Sequence, residues 1–208
     1  EMDVNDGEPT VFIVDDDPGV RDAIGLLLRS VGLPFRGFSS ANEFLEAYSP
    51  SMAGCLILDV RMPGMSGLDL QNHLQELGSI LPIIFITAHG DVPMAVNAVK
   101  AGAMDFVEKP FRDQALLDKV QEALALNARW RDADQELAEL RERLESLTPR
   151  EREVMELVVD GKANKNIARA LGISQRTVEI HRARVMEKMG VRSVSLLVQS
   201  VMRAQGRE

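Results

Sequence analysis

Short apolar segments alternate with amphipathic ones through the first 126 residues, and this alternation constrains the fold more than any other feature of the sequence. The apolar segments have the length of buried strands, and the amphipathic ones have the three- and four-residue spacing of helices. Strands that alternate with helices imply right-handed crossovers and a parallel sheet covered on both faces. We therefore predict an α/β doubly wound (βα)5 domain with a parallel five-stranded sheet. Its strands are predicted at Val11–Val14, Leu33–Phe38, Cys55–Leu58, Ile83–Ile86 and Asp105–Val107.

Polar residues stand at the carboxyl ends of these strands, where doubly wound folds bind their ligands. They are Asp15, Asp16, Asp59, Thr87 and Lys109. Clustered carboxylates repel one another unless a cation is present, and a hard divalent ion such as Mg2+ accepts carboxylates and also binds phosphate. A carboxylate beside such an ion can attack a phosphoryl group, while a hydroxyl and an ammonium hold the phosphoryl oxygens. Each residue alone could be a turn or structural residue, but the joint pattern favours a functional site.

Four segments around these positions resemble the receiver-domain motifs of two-component response regulators, over about residues 9–126. The segments are Val14-Asp15-Asp16-Asp17, Leu58 to Gly67, Ile86-Thr87-Ala88-His89 and Phe106 to Phe111. The resemblance implies that Asp59 accepts a phosphoryl group from a sensor histidine kinase. It also implies that Asp16, Asp59 and the backbone carbonyl of Arg61 ligate Mg2+ (or Mn2+), and that Asp15 acts through water. Arg61 and His89 are expected to tune the lifetime of the phosphoryl group.

The same resemblance implies a conformational switch and a dimer. Thr87 is expected to move toward the phosphoryl group and Phe106 to repack into the space that it leaves. The alternative for Phe106 is simple core packing, and both roles are compatible. Lys109-Pro110 is expected to be a cis peptide. The surface formed by about Val92–Leu117 is expected to form a homodimer on phosphorylation.

The fifth predicted helix continues far beyond the fifth strand, since no Gly or Pro occurs between Phe111 and Thr148. Apolar residues recur along it at alternating spacings of three and four, which is typical of a coiled-coil seam. They are Ala123, Leu126, Trp130, Ala133, Leu137, Leu140, Leu144 and Leu147. We interpret residues 127–146 as a helical linker continuous with the fifth helix. The segment Leu137–Leu147 favours pairing with a second copy, and the alternative is that the stripe packs on the preceding domain.

A second domain is predicted from Thr148-Pro149, where an N-cap precedes proline at the first helical position. Four short helices follow, at Arg150–Asp160, Lys165–Leu171, Gln175–Met189 and Val194–Arg203, with N-caps predicted at Asn164, Ser174 and Ser193. The second and third of these helices form a helix-turn-helix pattern. In the third, Val178, Val185 and Met189 are expected to face the core. Units of this kind also bind protein, so the pattern alone does not decide for DNA.

Three segments of this domain resemble the LuxR-type DNA-binding domain over residues 147–208. They are Leu147 to Glu151, Gly161 to Ala168 and Ser174 to His181. The whole architecture is similar to the NarL/FixJ family, and the long linker and Gly90-Asp91-Val92-Pro93 resemble its FixJ and StyR members. The resemblance implies that Glu179, Ile180 and Ala183 face the bases. The residues implied in phosphate contacts are Lys165, Arg176, Thr177, His181, Arg182 and Arg184.

Charge is divided unevenly along the chain, whose formal net charge is −8. Residues 1–126 carry 8 Lys and Arg against 19 Asp and Glu, whereas residues 147–208 carry 12 against 7. A basic segment behind an acidic one indicates two functions, the second near a polyanion, although a solvated basic surface is the simpler alternative. One cysteine excludes an intrachain disulfide, and no apolar run approaches the length of a membrane helix. We expect a cytoplasmic bacterial protein without a membrane partner.

The resulting hypothesis is a transcriptional regulator, of the activator kind, whose partners are a sensor kinase, promoter DNA and RNA polymerase. We do not expect an enzyme beyond the receiver's own phosphotransfer and dephosphorylation. One alternative is a constitutive or ligand-driven LuxR-type transcription factor with a receiver that does not switch. The other is a haloacid-dehalogenase-like phosphatase, but that class needs a second aspartate where this chain has Arg61.

Overall fold

The structure is a computed structural model that describes residues 8–88 and 91–206. The chain divides into two compact units, Glu1–Arg131 and Asp132–Glu208. The expectations placed on His89 and Gly90 lie outside the described residues. No helix in the described ranges combines the length and the apolar character needed to cross a bilayer.

The first unit alternates strands and helices, and its parallel sheet has the order β2-β1-β3-β4-β5. This confirms the predicted doubly wound fold. The strands are β1 Thr10–Val14, β2 Phe35–Phe38, β3 Gly54–Asp59, β4 Ile83–Thr87 and β5 Asp105–Glu108. The helices are α1 Pro18–Ser30, α2 Ala41–Ala47, α3 Gly67–Glu76, α4 Val92–Lys100 and α5 Asp113–Glu145.

Two apolar clusters cover the two faces of this sheet, because successive strand residues point to opposite sides. In β3, Leu56 and Leu58 join the cluster that contains residues of α2, α3 and α4. Cys55 and Ile57 join the cluster that contains residues of α1 and α5. All four are fully buried. The continuous apolar run of β3 therefore reflects a central strand covered on both faces.

Local capping fixes where the helices that follow β1 and β3 begin. The side chain of Asp17 accepts a hydrogen bond from the Gly19 N–H at the start of α1. Ser66 and Asp69 form a capping box at the start of α3. Because these caps fix where the chain turns, Asp15, Asp16 and Asp59 remain at the mouth of the sheet.

The long helix α5 is anchored in the first unit beyond residue 126. The buried side chain of Asn127 accepts a hydrogen bond from the Gly54 N–H at 2.9 Å and donates one to the Ile80 carbonyl at 2.8 Å. Arg131 donates to the carbonyls of Ser51 and Met52. The first residues of the expected linker at 127–146 thus hydrogen-bond to the sheet domain.

The second unit contains the end of α5 and four further helices, α6 Pro149–Val159, α7 Asn164–Leu171, α8 Gln175–Met189 and α9 Val194–Ala204. Their bounds agree with the predicted helices to within one residue. Ser174 and Ser193 cap α8 and α9 as predicted. Asn164, however, is the first residue of α7 rather than its N-cap, and its side chain accepts a hydrogen bond from Arg182 at 2.7 Å.

The end of the apolar stripe on α5 is buried inside the second unit. Leu144 and Leu147 are 9% and 5% exposed and belong to the core formed with α6, α7, α8 and α9. Arg152 donates to the Leu144 carbonyl at 2.8 Å, and Lys188 donates to the Ser146 carbonyl at 3.0 Å. The pairing interpretation is therefore wrong for Leu144 and Leu147, whose apolar surface already has a partner within the chain.

Candidate functional site

Three carboxylates meet at the carboxyl edge of the sheet. Asp15 and Asp16 directly follow β1, and Asp59 is the last residue of β3. Because β1 and β3 are adjacent and parallel, their ends bring one oxygen of each carboxylate within 4.8 Å of the others. Asp15 is fully buried, Asp59 is 9% exposed, and Asp16 is open to solvent. This is the convergence that the sequence predicted.

Lys109 adds a positive charge to this acidic pocket from the end of β5. Its Nζ lies 2.9 Å from Oδ2 of Asp15 and 3.4 Å from Oδ1 of Asp59. The peptide that follows it, Lys109-Pro110, is cis, as expected. Burial opposes the charge of Lys109, but its contacts with Asp15 and Asp59 outweigh burial and raise its pKa. The lysine therefore stays protonated at the mouth of the pocket.

The ionisation of Asp59 is less favourable than that of an ordinary aspartate, and its pKa is raised. The pKa of Asp59 is raised from its ordinary 3.8 to about 6, mainly by burial and also by the charges of Asp15 and Asp16, while Lys109 acts in the opposite direction. A carboxylate that is crowded by others and only partly compensated by one ammonium is a ready ligand for a further cation.

Thr87 and Phe106 lie on the neighbouring strands. Thr87 ends β4, is fully buried, and donates its hydroxyl proton to the Ala88 carbonyl at 3.1 Å. Phe106 lies opposite Phe85 in the register of β4 and β5 and packs, partly buried, against the cluster on the α3 and α4 face. The hydroxyl of Thr87 is thus directed at its own backbone in this state, and Phe106 has the packing role of the simpler alternative.

The second unit presents a polar face on α8. Val178, Val185 and Met189 are buried, as predicted, and define the inward side of the helix. At 3.6 residues per turn, the opposite side carries Arg176, Ile180, Ala183 and Glu187, all of which are exposed. The other residues predicted to contact DNA are exposed or half-buried; they are Lys165, Thr177, Glu179, His181, Arg182 and Arg184.

Comparison with known proteins gives the family. The family model of the response regulator receiver domain matches residues 11–121, and that of the bacterial regulatory proteins of the luxR family matches residues 145–201. The response regulator protein TmoT of Ectopseudomonas mendocina is 50% identical over 195 residues, which cover 94% of this chain and 89% of that protein. The chain belongs to the two-component response regulators of the NarL/FixJ type.

Other members of this family are similar over almost the whole chain. The transcriptional regulatory protein FixJ of Azorhizobium caulinodans is 45% identical over 194 residues, which cover 93% of this chain and 92% of that protein. The solved structure of the response regulator StyR has a TM-score of 0.85 and 49% identity, and the match covers 94% of this chain and 98% of that one. This response regulator therefore has a receiver unit and a LuxR-type DNA-binding unit, the architecture of a transcriptional regulator.

One contact of the receiver unit was not anticipated from the sequence. The side chain of Arg61, two residues after Asp59, forms an ion pair with Asp91 at 2.6 Å. Asp91 stands at the N-cap of α4 without making a capping hydrogen bond. The pair connects the loop after β3 to the start of α4. Opposite charges 30 positions apart give no local signal, so periodicity could not have found it.

Gly67 also positions the acidic pocket. Its N–H donates to the Val60 carbonyl at 3.1 Å, and a Cβ atom at this position would lie 2.1 Å from the Asp59 carbonyl oxygen. Only glycine allows the first turn of α3 to approach the backbone of Asp59 this closely. The close approach of the Asp59 backbone therefore explains why the motif has glycine at position 67.

In the DNA-binding unit, Glu151 holds the core in place and is not part of the basic surface. Its buried carboxylate accepts hydrogen bonds from the Thr148 N–H at 2.9 Å and from Lys188 Nζ at 2.7 Å. The hydrogen bond from Lys188, together with that from the Thr148 N–H, lowers the pKa of Glu151 below its ordinary 4.5. Lys188 is therefore held within this unit, by Glu151 and by the Ser146 carbonyl.

Proposed function

We propose that this response regulator is a phosphorylation-dependent transcriptional activator, and that Asp59 accepts the phosphoryl group from a sensor histidine kinase. The observation that carries this proposal is the convergence of Asp15, Asp16 and Asp59 within 4.8 Å, with Lys109 3.4 Å from Asp59, at the open end of the sheet. Asp59 has both a nucleophilic carboxylate and the charged neighbours that phosphoryl transfer requires.

The donor set of this pocket fits Mg2+ or Mn2+. It offers hard carboxylate oxygens, and burial, together with the charges of Asp15 and Asp16, raises the pKa of Asp59 despite the opposing charge of Lys109. We infer that Asp16, Asp59 and the backbone carbonyl of Arg61 hold the ion, and that Asp15 acts through water. When bound, such an ion supplies positive charge that balances the phosphoryl oxygens.

In the transfer step, a carboxylate oxygen of Asp59 forms a bond to phosphorus while the phosphorus–nitrogen bond of the kinase phosphohistidine breaks. The electron pair of the broken bond returns to the imidazole nitrogen. Lys109, already protonated beside Asp59, then pairs with a phosphoryl oxygen. The Thr87 hydroxyl rotates from the Ala88 carbonyl to the phosphoryl group, and Phe106 moves into the space that becomes available.

The output of the switch is DNA binding by two copies. Phosphorylated receiver units dimerise through the surface Val92–Leu117. The α8 helices then enter the major groove at two half-sites about one helical turn apart, and the bound dimer contacts RNA polymerase. Glu179, Ile180 and Ala183 face the bases. The phosphate contacts are Lys165, Arg176, Thr177, His181, Arg182 and Arg184.

The chemical part of this proposal is tested by labelling the protein with radioactive acetyl phosphate. We expect wild type to form an acid-stable, base-labile acyl phosphate in Mg2+ and not in EDTA, and Asp59→Asn to form none. Asp16→Asn is expected to require more Mg2+, whereas the matched control Asp17→Asn, a change at a helix cap, should label normally. Equal labelling of Asp59→Asn and wild type would contradict the proposal. No labelling of wild type by any donor would favour the constitutive regulator.

A further inference from the structure

Ile180 is a large apolar residue that is exposed on the outward side of α8. It is 46% exposed in the middle of a helix whose other large apolar residues are buried or half-buried. The next outward residue along the helix, Ala183, is also exposed and adds a second apolar group one turn away. Covering a solvent-exposed isoleucine with a partner removes apolar surface from water and therefore stabilises the complex.

The positive charges around Ile180 indicate what this partner is, although Glu179 and Glu187 are also exposed on the same helix. Arg176 and Arg184 lie one turn before and one turn after it, and both are exposed. Within residues 132–206, the ion pairs of the second unit engage neither arginine. An apolar centre between two free cations complements a polyanion that carries apolar groups between its charges. The DNA major groove has this pattern, because phosphates line its edges and thymine methyl groups project into it.

We propose that Ile180, with Ala183 beside it, reads thymine 5-methyl groups and thereby sets part of the DNA sequence that this regulator binds. The proposal rests on the proposed function, in which α8 enters the major groove. Thymine is the base that offers an apolar group on the major-groove edge. The hydrogen-bonding groups of the other bases would be desolvated against isoleucine without a partner, so those bases are disfavoured at this position.

The experiment uses the full chain activated with beryllofluoride and Mg2+. The protein first selects its sites from a pool of random duplex DNA. Each thymine of the selected half-site is then replaced by uracil, which differs only in lacking the methyl group. At one or two positions we expect wild type to lose about fourfold in affinity for each methyl group removed.

Two variants assign that loss to a side chain. Ile180→Ala should bind the thymine and uracil duplexes equally well at those positions, because the side chain that contacts the methyl group is gone. The matched control is Leu196→Ala, which removes an aliphatic side chain that is also 46% exposed, but on α9. It should keep the full preference of wild type for thymine, whatever its overall affinity.

Three results would overturn the proposal and leave the proposed function intact. These are a selected half-site without thymine, uracil tolerated at every position by wild type, and an undiminished thymine preference in Ile180→Ala. If activated wild type selects no sequence at all, the proposed function and this inference fall together.

Discussion

Replacing Asp59 by asparagine is expected to stabilise the metal-free receiver unit at neutral pH, although it removes the proposed phosphoacceptor. The Asp59 side chain is nearly buried, and burial raises its pKa from 3.8 to about 6, with Lys109 opposing and Asp15 and Asp16 adding to the effect. Its negative charge is therefore less favourable in the folded protein than in the unfolded chain. Asparagine has nearly the same shape and carries no charge.

The size of the effect follows from the two pKa values. A difference of about two pH units corresponds to roughly 3 kcal/mol, which is an upper limit because water and nearby groups relax around the charge. We expect Asp59→Asn to gain about 1–3 kcal/mol. Because the folded pKa is the higher one, wild type loses this stability as pH rises from about 4 to about 6. The gain of the variant is therefore complete above about pH 7 and disappears near pH 4.

Urea unfolding of the full chain in EDTA measures this difference. Trp130 is the one tryptophan of the sequence and belongs to the receiver unit, so its fluorescence follows the unfolding of that unit. The control Asp17→Asn keeps a capping oxygen at an exposed position and should not reproduce the gain of Asp59→Asn at neutral pH. Adding Mg2+ should stabilise wild type more than Asp59→Asn. Equal or lower stability of metal-free Asp59→Asn at about pH 7.5, or a gain that does not change between about pH 4 and 7.5, would refute the reasoning.

Three further changes test the contacts inside each of the two units. Asn127→Leu should cost the receiver unit about 2–3 kcal/mol, since it leaves a buried backbone N–H and a carbonyl without partners, and unchanged urea midpoints would contradict this. Glu151→Gln should lower the stability of the DNA-binding unit by about 1 kcal/mol at neutral pH. Because the folded pKa of Glu151 is lowered, its contribution is lost as pH falls through that pKa, so thermal unfolding curves of variant and wild type should converge in acid and not at neutral pH. A fragment of residues 147–208 should melt at a lower temperature than 132–208, because Leu144 leaves the core, and equal melting temperatures would exclude a structural role for the end of α5.

The sheet and the acidic pocket were predictable because their signals are local. Each buried strand is a continuous apolar run, and Asp15, Asp59 and Lys109 come directly after strands, so parallel order alone brings them to one edge. Side-chain distances need the folded chain, but the set of converging residues does not. The same locality explains why the helix starts at Ser174 and Ser193 were predicted correctly.

The contacts that individual side chains make could not be predicted. Periodicity shows which face of a helix is buried, but it does not show which part of the protein covers that face. Leu144 and Leu147 continue a heptad pattern, yet the helices of their own unit cover them. Asn127 looks like a polar linker residue, but it satisfies two backbone groups 73 and 47 positions away. Asparagine is common at N-caps, but the side-chain oxygen of Asn164 accepts a hydrogen bond from Arg182 instead.

The central claim is that phosphorylation at Asp59 controls DNA binding, and one paired series tests it most directly. Sedimentation and DNA affinity are measured for wild type and Asp59→Asn, each with and without beryllofluoride plus Mg2+, at one fixed salt concentration. The account predicts that only wild type dimerises and binds its selected DNA more tightly on activation. Dimerisation and tight DNA binding by both proteins, with or without the activator, would contradict it.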